Sequence, residues 1–170
     1  MRSLFIGVPL LAFFAVLQST LFQSVGFLNG GVDFVLVVVL AWNLARHEID
    51  APMWAFVGGL FADILSGGTM GAATFAVTIV ALLVAITEGN FYKANAFSAM
   101  LVAIVGTIWY HLLYLFIISL NGHLVQWADA ITLITLPSAL LNLILILPAY
   151  HSARWIVQLI SPKEIGIAEK

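Results

Sequence analysis

Residues 96–120 read AFSAMLVAIVGTIWYHLLYLFIISL, a run with no Asp, Glu, Lys or Arg. As an α-helix it is ~37 Å long, enough to cross a hydrocarbon core of ~30 Å. Lipid offers no hydrogen-bond partners, so the backbone of such a run has to satisfy itself, and a helix does so. The rest of the chain has the same character. Its 170 residues are 63% hydrophobic and 8% charged, with a mean hydropathy of +1.12, whereas soluble domains carry roughly 25% charged residues. A water-soluble fold of this length cannot bury that much apolar surface, so lipid is the expected solvent. The expected fold is an all-α integral membrane protein.

Six spans account for nearly the whole sequence: Ser3–Leu28, Phe34–Ala45, Pro52–Leu65, Gly71–Thr87, Ala96–Leu120 and Ala130–Ala153. Residues 1–160 then form one polytopic domain, and residues 161–170 a short tail. All six Lys and Arg residues (Arg2, Arg46, Lys93, Arg154, Lys163 and Lys170) fall on one side of this segmentation. The positive-inside rule places that side, with both termini, in the cytoplasm. The expected location is the bacterial cytoplasmic membrane. The first run is about twice a signal-peptide h-region, and Gln18-Ser19-Thr20 is no A-x-A cleavage site, so it reads as a retained helix.

Turn chemistry marks the outer connections: Asn29-Gly30-Gly31, Ser66-Gly67-Gly68 and Asn121-Gly122. Asp33 and Asp129 are placed to cap the second and sixth helices. Trp42, Trp54, Tyr92 and Trp155 cluster at the inner ends and Trp127 near the outer, the pattern of an aromatic belt. The second and third helices are short, about 18 and 21 Å, so a re-entrant hairpin is the alternative to two spans. The hairpin would drive Arg46, Glu48 and Asp50 into lipid, at a cost. Small residues recur four apart on the third helix (Ala51/Ala55/Gly59 and Gly58/Ala62/Ser66) and on the fifth (Ala99/Ala103/Thr107), a spacing that lets backbones approach closely. The third helix is expected to be the central one. Phe34, Leu36, Val37, Leu40 and Leu44 give the second a broad apolar face for a partner helix or for lipid.

Counted from the inner ends, Gln18, Asp63, Thr74, His111 and Asn142 lie ~16–23 Å up their helices and share one layer. Asp63 is the sharpest case, because no Lys or Arg lies on the outer side to pair with it. It reads as a clasp on the Ser66–Met70 loop and the positive end of the fourth helix. A proton or cation site with His111, or a protonated acid facing a partner helix, are the alternatives. Gln18 and Asn142 read as helix-to-helix glue. No nucleophile–base pair, metal-ligand spacing or phosphate loop is present, and no cysteine, so the chain reads as no enzyme with no cofactor. A net charge of −2 argues against nucleic acid.

Ala55 to Gly71, AFVGGLFADILSGGTMG, resembles the G-F-x-x-G-L-x-x-D-L-L-S-G-x-x-L-G signature of the rod shape-determining protein MreD family. Leu17-Gln18-Ser19-Thr20-Leu21 is similar to that family's L-Q-x-T-L run, and Asp33–Val39 to its P-D-l-v-L-l-l-v segment. The motif positions are thus Gln18, Asp33, Gly59, Asp63, Ser66, Gly67 and Gly71. Val32 stands where the family often has Pro, and Ala55 where Gly is usual. The resemblance implies a non-enzymatic membrane scaffold of the cell-elongation machinery for rod shape and peptidoglycan synthesis. It implies binding to MreC, a bitopic protein, alongside RodA and its partner transpeptidase, with MreB reached indirectly. It also implies a six-helix form similar to the substrate-binding subunits of energy-coupling-factor transporters. The alternative function is a small-molecule binding subunit of a membrane transporter.

Overall fold

The computed structural model describes residues 2–21, 30–46, 51–91 and 95–160. The expected end of the first span, together with Asn29, Glu48, Asp50, Tyr92, Lys93 and the tail from Ser161, lies outside the described residues. Among the described residues the chain is all-helical. α1 is Arg2–Leu21, α2 Phe34–Arg46, α3 Ala51–Ser66, α4 Ala72–Phe91 and α5 Ala96–Leu120. A single turn, α6 (Trp127–Asp129), leads through a π-helical stretch (Ala130–Thr135) into α7 (Leu136–Ile160). Two stretches, Ala96–Leu120 and Trp127–Leu159, are long and apolar enough to cross a membrane, and the other apolar helices are shorter.

Local chemistry sets the helix ends. Asn95 opens α5 with a capping box, its side chain accepting from the Ser98 N–H while Ser98 Oγ accepts from the Asn95 N–H. Gly122, at φ +83°, lets the chain leave α5 through a left-handed residue. Pro137 has no N–H to give the carbonyl one α-turn earlier, and the wider π turns before it accommodate that gap. Asp129 was placed by sequence as the cap of the last helix. It lies instead in helical conformation after Trp127 and makes no capping bond, because the helix starts two residues earlier.

The centre of the bundle is α2, not α3. Nine of its positions are buried, including Leu36, Val37, Leu40 and Leu44, and it touches α1, α3, α4, α5 and α7. The apolar face expected to meet a partner or lipid is therefore closed inside the fold, with Phe34 half-buried at its edge. A helix apolar on every side is one with neighbours on every side. Enclosure also explains its shortness: a helix of ~20 Å ringed by longer ones need not reach either interface. Asn43, its one polar residue before Arg46, donates to the Ala81 carbonyl at 2.9 Å.

α3 is lateral. Its Ala51/Ala55/Gly59 ridge is buried, with Gly59 against α4, while Met53, Phe56, Leu60 and Ile64 face outward. The contact at Gly59 is so close that a β-carbon there would stand 2.5 Å from Thr74 Cα. The second ridge is buried only at Gly58, for Ala62 is half-buried and Ser66 exposed. The small line on α5 (Ala99, Ala103, Thr107) is fully buried. Trp42 and Trp54 are not belt residues either. They stack at 4.2 Å and 15° inside the bundle, 4% and 0% exposed, and Gly7 of α1 packs on the Trp54 ring. Trp155 and Trp127 do face outward.

Neighbouring contacts run antiparallel. Val35 meets Gly58 where α2 begins, and Trp42 meets Trp54 where α3 begins. Gly31 and Asp33 meet Ser138 and Asn142 in the same direction, so α2 and α7 are parallel. Arg2, Arg46 and Arg154 consequently belong to one end of the bundle. The glycine turns at 67–71 and 122 belong to the other.

Candidate functional site: a polar centre and cavity in the glycine-turn half of the bundle

Two buried carboxylates organise this half. Asp63, 3% exposed near the end of α3, is the acceptor for the first turn of α4. Its Oδ2 accepts from the N–H groups of Gly71 (3.0 Å) and Thr74 (2.9 Å) and from the Thr74 hydroxyl, and its Oδ1 accepts from the Ala73 N–H at 2.9 Å. The remaining free N–H of that turn, on Ala72, donates to the Thr69 carbonyl. A helix begins with four N–H groups that lack partners, and here each has one. The carboxylate also sits where the helix dipole favours negative charge.

The turn between the helices is built to deliver that geometry. Ser66 Oγ donates to the Asp63 carbonyl and accepts from the Gly68 N–H. Gly67 and Gly71 adopt φ +64° and +89°, a region that side chains resist. The motif positions Gly59, Asp63, Ser66, Gly67 and Gly71 thus form one α3–turn–α4 clasp.

Asp33, 3% exposed, organises the second cluster. It stands at the cap position of α2, its carbonyl accepting from Val37, but its side chain turns elsewhere. Oδ2 accepts from Asn142 Nδ2 at 2.9 Å and lies 3.3 Å from His111 Nε2. Asn142 also accepts from the Asp33 N–H at 3.0 Å and donates to Thr107 Oγ1 at 3.0 Å. Thr107 passes the chain on to the Ala103 carbonyl. These bonds tie α2, α5 and α7 together at one point. The N–H of Val35, which a capping Asp33 would take, donates instead to Gln18 Oε1 of α1 at 3.1 Å. Beside this cluster Gly31 donates to Ser138 Oγ, and Gly30 lies so close to α7 that a β-carbon would meet Pro137 at 2.8 Å.

The polar layer read from sequence therefore resolves into separate groups. Asp63 and Thr74 bond each other, Asn142 and His111 meet on Asp33, and Gln18 holds the start of α2. Asp63 and His111 are each engaged with different partners. Reading Asp33 as a simple cap concealed its role as the hub of the second group. Nor does the sequence mark Ser138, Tyr110 or Tyr114, or give Thr107 more than a place at the end of the small-residue line on α5.

A cavity of about 480 Å³ opens beside Asp33. Gln18 and Ser19 of α1 line it, as do Ser66 of α3 and Thr135 of the π-helical stretch. α5 contributes Tyr110, His111 and Tyr114, the Tyr110 ring centroid lying 5.4 Å from that of His111 and 6.0 Å from that of Tyr114. His111 Nδ1 is buried and has no hydrogen-bond partner among the described residues. Among the described residues no three His, Asp or Glu side chains converge as metal ligands. The arrangement can hold polar molecules. It presents no activated nucleophile.

No curated protein and no solved structure matches the chain. One family model does, that of the rod shape-determining protein MreD, and its match runs over residues 1–159. A match of that extent covers both carboxylate clusters and every described helix except the last residue of α7, and by it the chain belongs to the MreD family of membrane proteins that determine rod shape.

Proposed function

We propose that this protein is a non-enzymatic scaffold of the cell-elongation complex, inserted in the bacterial cytoplasmic membrane by six spans with both termini inside, and that it binds an MreC-like bitopic protein. The observation that carries the reading is the family match over residues 1–159. The antiparallel bundle with Arg2, Arg46 and Arg154 at one end supports the orientation. α2 is enclosed, so the partner meets the outward faces of the other helices and the turns at the glycine-rich end. RodA, its partner transpeptidase and, indirectly, MreB are the further members of such an assembly.

Co-purification in mild detergent tests this. The complex is expected to survive ~0.5 M salt, because screening acts on exposed charges and not on apolar packing. It is expected to form when the partner's soluble region is deleted. Dissociation on raising salt, or retention by the partner's soluble region alone, would show that the interface lies outside the membrane.

A second reading, the small-molecule binding subunit of a transporter, is favoured by the cavity beside Asp33. Pockets of ~300–1,000 Å³ with a few convergent polar groups are the usual form of a ligand site. Uptake of a labelled solute by vesicles carrying this chain and a transport ATPase is the measurement that would raise it above the first.

A further inference from the structure

We infer that the cavity beside Asp33 is a binding site for a small organic ammonium group. The inference rests on the cavity that favours the second reading. It does not depend on transport, nor on which partner the scaffold binds. Four features carry it.

The first is size. About 480 Å³ holds on the order of fifteen non-hydrogen atoms, taking ~30 Å³ as the share of one water. The second is charge. Asp33 is the one carboxylate on the wall, and no Lys or Arg lines it. Anions are therefore disfavoured, and a cation would offset an acid otherwise held in low dielectric. Asp33 Oδ2 is engaged by Asn142 and His111, while Oδ1 accepts no hydrogen bond from the described residues.

The third is the aromatic wall. Tyr110 and Tyr114 lie one helical turn apart, with ring centroids 6.0 Å apart and planes 30° from parallel. Aromatic faces beside a carboxylate attract ammonium groups through the ring quadrupole. The fourth is unspent hydrogen-bonding capacity. Gln18 gives its Oε1 to Val35, and neither its amide nitrogen nor the Tyr110 and Tyr114 hydroxyls bond to any described residue. His111 Nδ1, which is buried, has no partner among the described residues either. Buried polar groups are normally satisfied, and a polar ligand in the cavity would give this ring nitrogen its partner. The ammonium could be that of a free amine or of a zwitterionic lipid headgroup, since both present the same chemistry.

The test uses the full chain in nanodiscs of phosphatidylglycerol, titrated with choline and with 3,3-dimethylbutanol, its uncharged isostere, and followed by calorimetry. Choline is expected to bind at least tenfold more tightly than the alcohol. Asp33→Asn should abolish that preference. Because Asp33 also holds the bundle together, Tyr114→Leu is the second variant. It removes one aromatic face without touching the Asp33 bonds, and is expected to weaken choline roughly tenfold, within the range of a desolvated cation–π contact. Tyr114→Phe should keep the affinity. In nanodiscs with phosphatidylethanolamine, lost choline binding identifies the headgroup as the source, and unchanged binding identifies a free amine. Equal binding of choline and the alcohol, no binding of either, or an unchanged affinity in folded Tyr114→Leu would each overturn the assignment. Co-purification of the bitopic partner is unaffected by any of these results, so failure here is distinct from failure of the scaffold reading.

Discussion

Replacing Asp63 by Asn and by Leu separates the charge of the clasp from its hydrogen bonds. The wild-type carboxylate satisfies the N–H groups of Gly71, Ala73 and Thr74 and one hydroxyl. An Asn oxygen in the place of Oδ2 keeps three of these contacts and turns an NH₂ toward the Ala73 N–H. The variant thus loses one bond and the charge-assisted part of the rest, an expected ~1–3 kcal/mol. Leu keeps none. Gly71 is exposed, but Ala73 and Thr74 are buried, so two N–H groups go unsatisfied at ~1–3 kcal/mol each, partly offset because no carboxylate has to be desolvated. At ~2–4 °C per kcal/mol for a domain of this size, Leu should melt on the order of ten degrees lower and Asn a few degrees lower. The assay is thermal unfolding in mild detergent, with hydrogen exchange read over residues 71–75. Faster exchange at Ala73 and Thr74 in the Leu variant locates the damage at the helix terminus. If Leu melts with the wild type and these amides stay protected, the clasp is not what holds α3 to α4.

Gly59→Ala is predicted to lower the melting temperature in detergent, because its β-carbon would stand 2.5 Å from Thr74 Cα, a backbone atom that cannot rotate away; overpacking of this kind costs ~1–3 kcal/mol. Gly58→Ala should be milder, since it meets only the ends of Val35 and Leu11, and equal losses at the two sites would contradict the close-backbone account. Asn142→Leu is expected to cost ~2–4 kcal/mol by leaving the Asp33 N–H without an acceptor and Asp33 Oδ2 without its amide donor, seen as a lower melting temperature that Asn142→Asp does not restore. For the topology, single cysteines at Asn29, Gly68 and Gly122 should label from outside intact cells and those at Glu48 and Lys163 should not. Labelling of position 68 from inside only would overturn the orientation.

Hydropathy made the helices legible, and the described ends of α2 and α3 fall within one residue of their expected positions. The helix-terminus half of the clasp was legible as well, because an acid with no cation on its side of the membrane has only a helix end to turn to; its carboxylate takes Gly71 and the first turn of α4, not the Ser66–Met70 loop. What failed was the placement of helices relative to one another. Small residues on α3 suggest a central helix, yet a small ridge shows only that one face is buried, at Gly59 against α4, and says nothing of the other face. The sign of centrality lay in α2, whose apolar residues occupy every direction around its axis. Trp42 and Trp54 depart from the expected belt because distance along a helix gives depth but not facing. The cavity was illegible because its wall draws on α1, α3, α5 and the π-helical stretch, and no local pattern shows which faces of distant segments converge.

The burial pattern also bears on how a partner helix could be recognised. In lipid, large aliphatic side chains offer a partner little that the acyl chains do not, so specific association depends on small residues that permit close approach and on polar side chains that bond across. Here those devices are turned inward. Ala51, Ala55 and Gly59 are buried, Gly59 against α4, Ala99 and Ala103 are fully buried in the core, and Asn142 bonds both Asp33 and Thr107. The outward faces of α3 and α4 carry Phe56, Leu60, Ile64, Phe75 and Leu82, which pack against a partner no differently from lipid. If the proposed bitopic partner is bound, its recognition falls to the glycine-turn end, where Met70, Leu124 and Trp127 stand exposed beside turns fixed by Gly67, Gly71 and Gly122. On this argument Met70→Ser and Leu124→Ser should weaken partner recovery more than Phe56→Leu and Leu60→Ala do. The reverse order would mean that the lateral face of α3 discriminates protein from lipid by shape alone.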